Sequence, residues 1–260
     1  MAQFVKGFDI SKHKPEVDWE RVRSQDIRFV FIKATQADDI VDPKFAEHWA
    51  NARQAGILRG AYHFMDPNVD GKPQAKLFLS TVNLEPGDLP PVLDIERLPT
   101  DTGKGKKGGK SKDGKGKKGG KQQADTEKIN AQMVDCANSW LEIVRTETGR
   151  TPIVYSRANF LETWLTRKGK SPAWASKYPI WIAQYFNLPL NENTLPIQAK
   201  GWQPFTFWQY SSEGELDGVY DDKERTIPTP VDLNFFKGTL EELHQFAGAP
   251  LPADTPSGKS

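Results

Sequence analysis

Short apolar runs alternate with amphipathic stretches along most of this chain, the rhythm of βα units. Runs of period two or continuous apolar character predict strands at Phe4 to Ile10, Phe29 to Ala34, Leu58 to Phe64, Pro91 to Ile95, Pro152 to Ser156, Ile180 to Gln184, Phe205 to Gln209 and Val231 to Asn234. Helical periodicity predicts helices at Trp19 to Ser24, Lys44 to Ala55 before Gly56, Pro73 to Val82, Thr126 to Thr148 before Gly149, and Phe160 to Leu165. After Ile180 the connections hold Pro, Gly, Asn and Asp without a long amphipathic period, until a closing helix at Leu240 to Phe246. The pattern predicts an α/β fold: a modified TIM-like (β/α) barrel of about eight strands and about five surrounding helices, with helices missing on one side. Residues 1–247 form that barrel, and 248–260, rich in Pro, Ala and Ser, read as a disordered tail.

One segment breaks the rhythm. From Gly103 to Lys121 there are nine Lys, eight Gly, one Ser and one Asp, and Gly-Lys-Gly-Lys-Lys-Gly-Gly-Lys occurs twice, at 103–110 and 114–121. No apolar residue anchors it, so a disordered insertion is expected at 100–124. The segment carries +8 of a net charge of +1, which leaves −7 on the rest of the chain. A solvated loop insertion and an arm that concentrates an anionic wall polymer both fit it. Nucleic acid is not expected as a partner, because no aromatic residue is interleaved for base stacking and the body is acidic.

The single cysteine, Cys136, excludes an intrachain disulfide, and four scattered histidines offer no metal-ligand spacing. No metal or other cofactor is expected, and a monomer is. Met1 to Gly7 has no apolar core of a signal peptide, and no run approaches the ~20 residues of a membrane span. A mature exported chain and export by another route both stay open, and no membrane contact is expected.

Several predicted strands end on an acid, an amide or an aromatic residue: Asp9, Tyr62 with His63, Asp94 with Glu96, Trp181 with Tyr185, Trp208 with Gln209, and Asp232. In a βα barrel those ends form the face that carries active sites. Residues two apart on a strand share one side with Cα atoms roughly 6–7 Å apart, so Asp94 and Glu96 share the mouth. Glycoside hydrolysis needs a protonated carboxylic acid beside an ionised one, and close carboxyls push one pKa upward. Trp181, Tyr185, Trp208 and Tyr210 are candidate rings for a sugar groove. Trp19, Trp49, Trp140 and Trp164, on helical patterns, read as core. His63 reads as a satisfied residue beneath the site or as a base; His13, His48 and His244 look incidental.

The residues Gly7-Phe8-Asp9-Ile10-Ser11, Val17-Asp18-Trp19, Phe29 to Thr35, Ala55 to Phe64, Pro91-Val92-Leu93-Asp94-Ile95-Glu96, Ile180 to Tyr185, Phe207-Trp208-Gln209-Tyr210 and Val231 to Asn234 together resemble the family 25 glycoside hydrolases, the Chalaropsis-type muramidases. That resemblance implies a lysozyme that cuts the β-1,4 bond between N-acetylmuramic acid and N-acetylglucosamine in peptidoglycan at the bacterial cell wall. It implies Glu96 as general acid, with Asp94 as nucleophile or as the group that positions the substrate's 2-acetamido group. Asp9 and Asp232 match the family's other acids, and Tyr62 a position beside the sugar; Trp181, Tyr185, Trp208 and Gln209 are taken as substrate-binding. Many relatives carry Glu-Gly where this chain has Gln36-Ala37. A wall-binding barrel without catalysis and a chitinase-like glycosidase are the alternative readings.

Overall fold

The computed structural model describes residues 3–99, 118–186, 190, 194–221, 224 and 228–248, with side chains in the long fourth helix described from Ala124 onward. Its strands are β1 (Phe4–Ile10), β2 (Glu16–Val17), β3 (Ile27–Gln36), β4 (Ile40–Val41), β5 (Leu58–Phe64), β6 (Val92–Asp94), β7 (Ile153–Ser156), β8 (Ile180–Ala183), β9 (Phe205–Gly214), β10 (Val219–Tyr220) and β11 (Val231–Lys237). The helices are α1 (Trp19–Ser24), α2 (Phe45–Gln54), α3 (Gly71–Thr81), α4 (Lys118–Thr148), α5 (Ala158–Trp164) and α6 (Leu240–Ala247).

The order β1-β3-β5-β6-β7-β8-β9-β11, returning to β1, closes an eight-stranded barrel. Seven of its strands run parallel, and β11 is antiparallel to both neighbours, β1 and β9. A single α-helix, α1 to α5 in turn, follows each of the first five barrel strands, whereas the described residues between β8, β9 and β11 form none. The side without helices is the side predicted from the missing amphipathic period.

Alternation along the strands sorts side chains into two cores. Phe8, Val30, Ile32, Ala61, Leu93, Val154 and Ile182 face outward and pack with Trp19, Phe78, Trp140 and other residues of the helices. Val5, Phe29, Phe31, Val92, Ile153, Tyr155, Trp181 and Phe207 point inward and fill the barrel. Phe31 stacks on Trp181 at 4.4 Å between ring centroids, and Phe207 meets Phe29 and Phe31 edge to face at 5.2 and 5.0 Å. At the end of the barrel where β1 begins, Leu243 and Ala247 of α6 join this inner core, and Phe246 meets Phe207 at 5.7 Å. Helix α6 is therefore a plug. A capping box between Thr239 and Glu242 starts it, and Gly248, at φ 66°, ends it in the left-handed conformation that glycine adopts without steric cost.

Three differences from the sequence reading concern the bounds of elements. The two-residue strands β2, β4 and β10 are too short to show a period; β2 pairs with β10, and β4 folds back on the end of β3. Strand β9 runs on to Gly214 because β11 pairs with it that far. Helix α4 begins at Lys118 instead of Thr126, so its first turns lie within the segment expected to be disordered. The rest of that segment, 100–117, and the tail from residue 249 lie outside the described residues.

Space inside the barrel is set by two glycines. A Cβ on Gly7 would stand 2.5 Å from the Phe29 ring, and one on Gly60 would stand 2.5 Å from the Phe31 ring. The small residues on β1 and β5 are what let both phenylalanines cross the barrel axis. Gly7→Ala and Gly60→Ala are each expected to destabilise the fold by about 1–3 kcal/mol through overpacking, measured as a lower urea midpoint with an unchanged m-value.

Candidate active site

Above the aromatic plug, the next inward-facing positions are polar. Asp9 ends β1, Lys33 and Tyr62 lie near the ends of β3 and β5, Asp94 ends β6, and Glu96 stands two residues beyond it. Gln209 of β9 and Asn234 of β11 close the ring. Asp232 reaches the same mouth by a different route from the one expected. It lies near the start of β11, and only because β11 runs antiparallel does Asp232 stand opposite Asp9 in the β1–β11 register.

Asp9 is buried and tightly held. Its Oδ2 accepts hydrogen bonds from Gln209 Nε2 at 2.8 Å and from Asn234 Nδ2 at 2.7 Å. Both amides are oriented by donors on their far sides. The Trp181 indole can only donate, and its Nε1 gives a 2.8 Å bond to Asn234 Oδ1. The hydroxyls of Tyr155 and Tyr185 donate to Gln209 Oε1 at 2.7 and 2.6 Å. Asn234 and Gln209 are thereby left to present their NH₂ groups to Asp9.

The acids crowd one another in a largely buried space. Burial and the charge of Asp232 push the Asp9 pKa well above the usual carboxylate range, against the two amide hydrogen bonds. Burial and Glu96 do the same to Asp94, opposed by Lys33. Burial raises Glu96, while Arg157 and Lys33 draw it back. Asp232 is pushed up to about 6 by burial, with Lys14 opposing and Glu96 adding to the shift. Tyr62 faces Asp9, Asp94 and Asp232, and burial foremost holds its hydroxyl protonated. Asp94 is only 6% exposed, and among the described residues its Oδ1 has no hydrogen-bond partner. A buried carboxylate oxygen is costly to leave unpaired, and here it lies beside Glu96 at the mouth.

Three of the four expected groove rings are placed elsewhere. Trp181 is 2% exposed, one layer below the mouth, where it supports Asn234 and stacks on Phe31. Trp208 is 1% exposed and faces outward, packed on Phe4, Phe235 and Phe186, with Nε1 donating to the Gln184 carbonyl. Adjacent residues on a strand face opposite sides, so with Gln209 inside, Trp208 has to be outside. Tyr185, 47% exposed, is the ring that does stand at the mouth. Tyr210 stacks on Phe235 on the outer face.

His63 also faces away from the mouth. Gln74 uses its amide hydrogens on the carbonyls of Asp66 and Val69, so its Oε1 accepts from His63 Nε2 at 3.0 Å, and Nδ1 then accepts from the Thr35 hydroxyl at 2.7 Å. Burial pushes the imidazole down to about 4, and it stays a neutral core group. At Gln36-Ala37, Lys33 Nζ donates to Gln36 Oε1 at 2.7 Å, and Ala37 sits at φ 50°, a left-handed conformation suited to the glycine of many relatives. Residues not singled out from sequence, Lys33, Tyr155, Arg157 and Asn234, complete the surroundings of the acids. Period-two alternation from Asp94 and Asp232 could have picked out Asn234; the others depend on which strands are neighbours. Among the described residues, no group of three or more His, Cys, Asp or Glu side chains is arranged to hold a metal ion, and no helix is long and apolar enough to cross a membrane.

Comparison with known proteins places the chain among the following relatives. Residues 8–219 match the model for the glycosyl hydrolases of family 25. The chain is 34% identical to the uncharacterised protein YegX of Escherichia coli K12 over 247 residues, covering 93% of this chain and 73% of that protein. It is 32% identical to lysozyme M1 of Streptomyces globisporus over 243 residues, covering 92% of this chain and 70% of the relative. Its structure is similar to that of a lysozyme from Streptomyces coelicolor, with a TM-score of 0.73 at 29% identity over 94% of this chain and 97% of the other.

The raised acids set a pH dependence for stability. A carboxyl whose folded pKa lies above its unfolded value weakens the fold as pH rises from the unfolded value, near 3.8 for Asp232, to the folded one, about 6. Asp232→Asn removes that penalty. The melting temperature of the variant is expected to exceed that of the wild type by a few degrees at pH 7 and to approach it as pH falls well below the unfolded value of 3.8, where both states are protonated.

Proposed function

The chain belongs to glycosyl hydrolase family 25, and we propose that it is a lysozyme in which Glu96 and Asp94 cut the β-1,4 bond between N-acetylmuramic acid and N-acetylglucosamine in peptidoglycan. The observation that carries the assignment of roles is geometric: Asp94 lies buried at the end of β6, and Glu96, two residues further on and less buried, stands on the same side at the mouth. Glu96 gives its proton to the glycosidic oxygen as the bond to the anomeric carbon breaks, so that the N-acetylglucosamine side leaves with a hydroxyl. Asp94 accepts the N–H of the substrate's 2-acetamido group and holds its oxygen against the anomeric carbon, or attacks that carbon itself. Water then adds there, returns a proton to Glu96, and leaves a muramic-acid reducing end.

Asp9 and Asp232, at the floor and wall of the mouth, favour the positive charge developing on the sugar ring to the extent that they are ionised. Tyr62, Tyr185 and Gln209 line the space above them, with Tyr185 as the platform for a sugar face. The site of action is the bacterial cell wall, reached by a monomer. The Lys/Gly segment at 103–121 begins a few residues after Glu96 and supplies affinity for anionic wall polymers rather than chemistry.

Two measurements test this. Purified peptidoglycan treated with the wild type should release muramic-acid reducing ends identified by mass spectrometry, and Glu96→Gln should lower that rate by about 10²- to 10⁴-fold while keeping its fold. Binding of the polymer by both proteins with cleavage by neither would replace the enzyme with a wall-binding barrel. Deletion of 103–121 should leave turnover of soluble glycan fragments unchanged and flatten the salt dependence of wall binding.

A further inference from the structure

Arg157 follows β7 directly, and the β6–β7 register carries on past the ends of both strands. Asp94 is paired with Tyr155, Ile95 N donates to the Tyr155 carbonyl at 3.0 Å, and Ser156 Oγ donates to the Ile95 carbonyl at 2.6 Å. The next residues in line are Glu96 and Arg157. By alternation, Asp94 with Glu96 and Tyr155 with Arg157 lie on the mouth side, while Ile95 and Ser156 are buried beneath.

The guanidinium is exposed and unengaged. Of the other arginines among the described residues, Arg21, Arg28, Arg53, Arg59, Arg97, Arg145 and Arg167 reach carboxylates. Arg23 and Arg150 donate to backbone carbonyls. Arg157 alone has neither kind of partner among the described residues, and as N-cap of α5 its side chain makes no capping bond. Lys33, the other cation beside the acids, is already spent on Gln36 and on the face of Phe64.

We propose that Arg157 is a specificity residue that binds a carboxylate of the wall glycan, either the lactyl carboxylate of muramic acid or one on its stem peptide. The proposal rests on the muramidase reading and adds the part of the substrate that the acids themselves do not recognise. A planar guanidinium takes a carboxylate by two parallel hydrogen bonds, a match that a neutral sugar hydroxyl cannot offer. Muramic acid differs from its neutral neighbour by that lactyl group, a free carboxylate where no stem peptide is attached and an amide where one is, so the contact marks the muramic sugar directly on stripped strands and through a stem-peptide carboxylate on intact ones.

The arrangement also couples recognition to the acid. Arg157 pulls Glu96 toward ionisation, against the effect of burial. A carboxylate seated on Arg157 offsets that pull, so Glu96 keeps its proton to higher pH once the correct sugar is bound. The other groups facing Glu96 are Lys33 on β3, Asp94 on β6, Asp9 on β1, Asp232 on β11, and the hydroxyls of Tyr155 and Tyr185. None of these is exchanged when the substrate carboxylate is removed, so the comparison below isolates Arg157.

The test uses the full chain, its Arg157→Gln and Arg157→Lys variants, and three substrates. These are intact peptidoglycan, glycan strands stripped of peptide and bearing free lactyl carboxylates, and the same strands with those carboxylates converted to methylamides. The expected result is a loss of about tenfold in kcat/KM for Arg157→Gln on carboxylate-bearing strands, almost none on methylamide strands, and partial rescue by lysine. With the wild type, the alkaline limb of the kcat profile should lie higher on carboxylate strands than on methylamide strands, and in Arg157→Gln the two limbs should converge. A loss confined to stripped strands identifies the lactyl group; a loss confined to intact peptidoglycan identifies the stem peptide. An equal loss on acid and methylamide strands, or no loss on any of the three substrates, would overturn the proposal and leave the muramidase reading intact. Failure of the wild type to cut any of the three would remove that reading itself.

Discussion

Carboxyl groups repel one another and resist leaving water, and four of them meet at one end of this barrel above a floor of packed aromatic rings. Their crowding accounts for most of what surrounds them. Asp9, the deepest, is held by two amides, each turned the right way by a further donor. Lys33, Lys14 and Arg157 stand where they lower the cost of ionising Asp94, Asp232 and Glu96. The rings of Phe29, Phe31, Trp181 and Phe207 remove water from beneath, and the two glycines on β1 and β5 make room for those rings. Packing at the centre of the barrel thus bears on proton affinity at its mouth.

Much of this was legible in the sequence. β1, β5 and α1 have the bounds that their patterns predicted, because each is a clean period of two or 3.6 bounded by polar or turn residues. Asp94 and Glu96 could be placed on one side of a strand by spacing alone. Trp208 and Gln209 could not both face the mouth, and the same alternation that united the acids should have separated that pair. Trp181 was harder, since its depth depends on the stagger between neighbouring strands, which no single stretch of sequence records.

Asp232 shows a different limit. A strand in a βα rhythm is read as parallel, so its functional residues are sought at its C-terminal end. The last strand runs the other way, and its acid lies near its start. Arg157 and Tyr155 escaped notice because neither belongs to a local pattern: their significance comes from the side-by-side placement of β6 and β7, segments separated by the Lys/Gly insertion and α4.

The pairing of the first strand with the last has a bearing on how the protein is made. Asp9 is fastened by Asn234, 225 positions further along the chain, and faces Asp232 from that same terminal strand. A ribosome that has delivered every residue up to β9 has made most of the scaffold, but Asp9 still lacks one of its two anchors and the mouth lacks one of its walls. The mouth is assembled only once β11 is in place, so a chain cut short before β11 carries Asp94 and Glu96 but lacks one anchor of Asp9 and the wall opposite it.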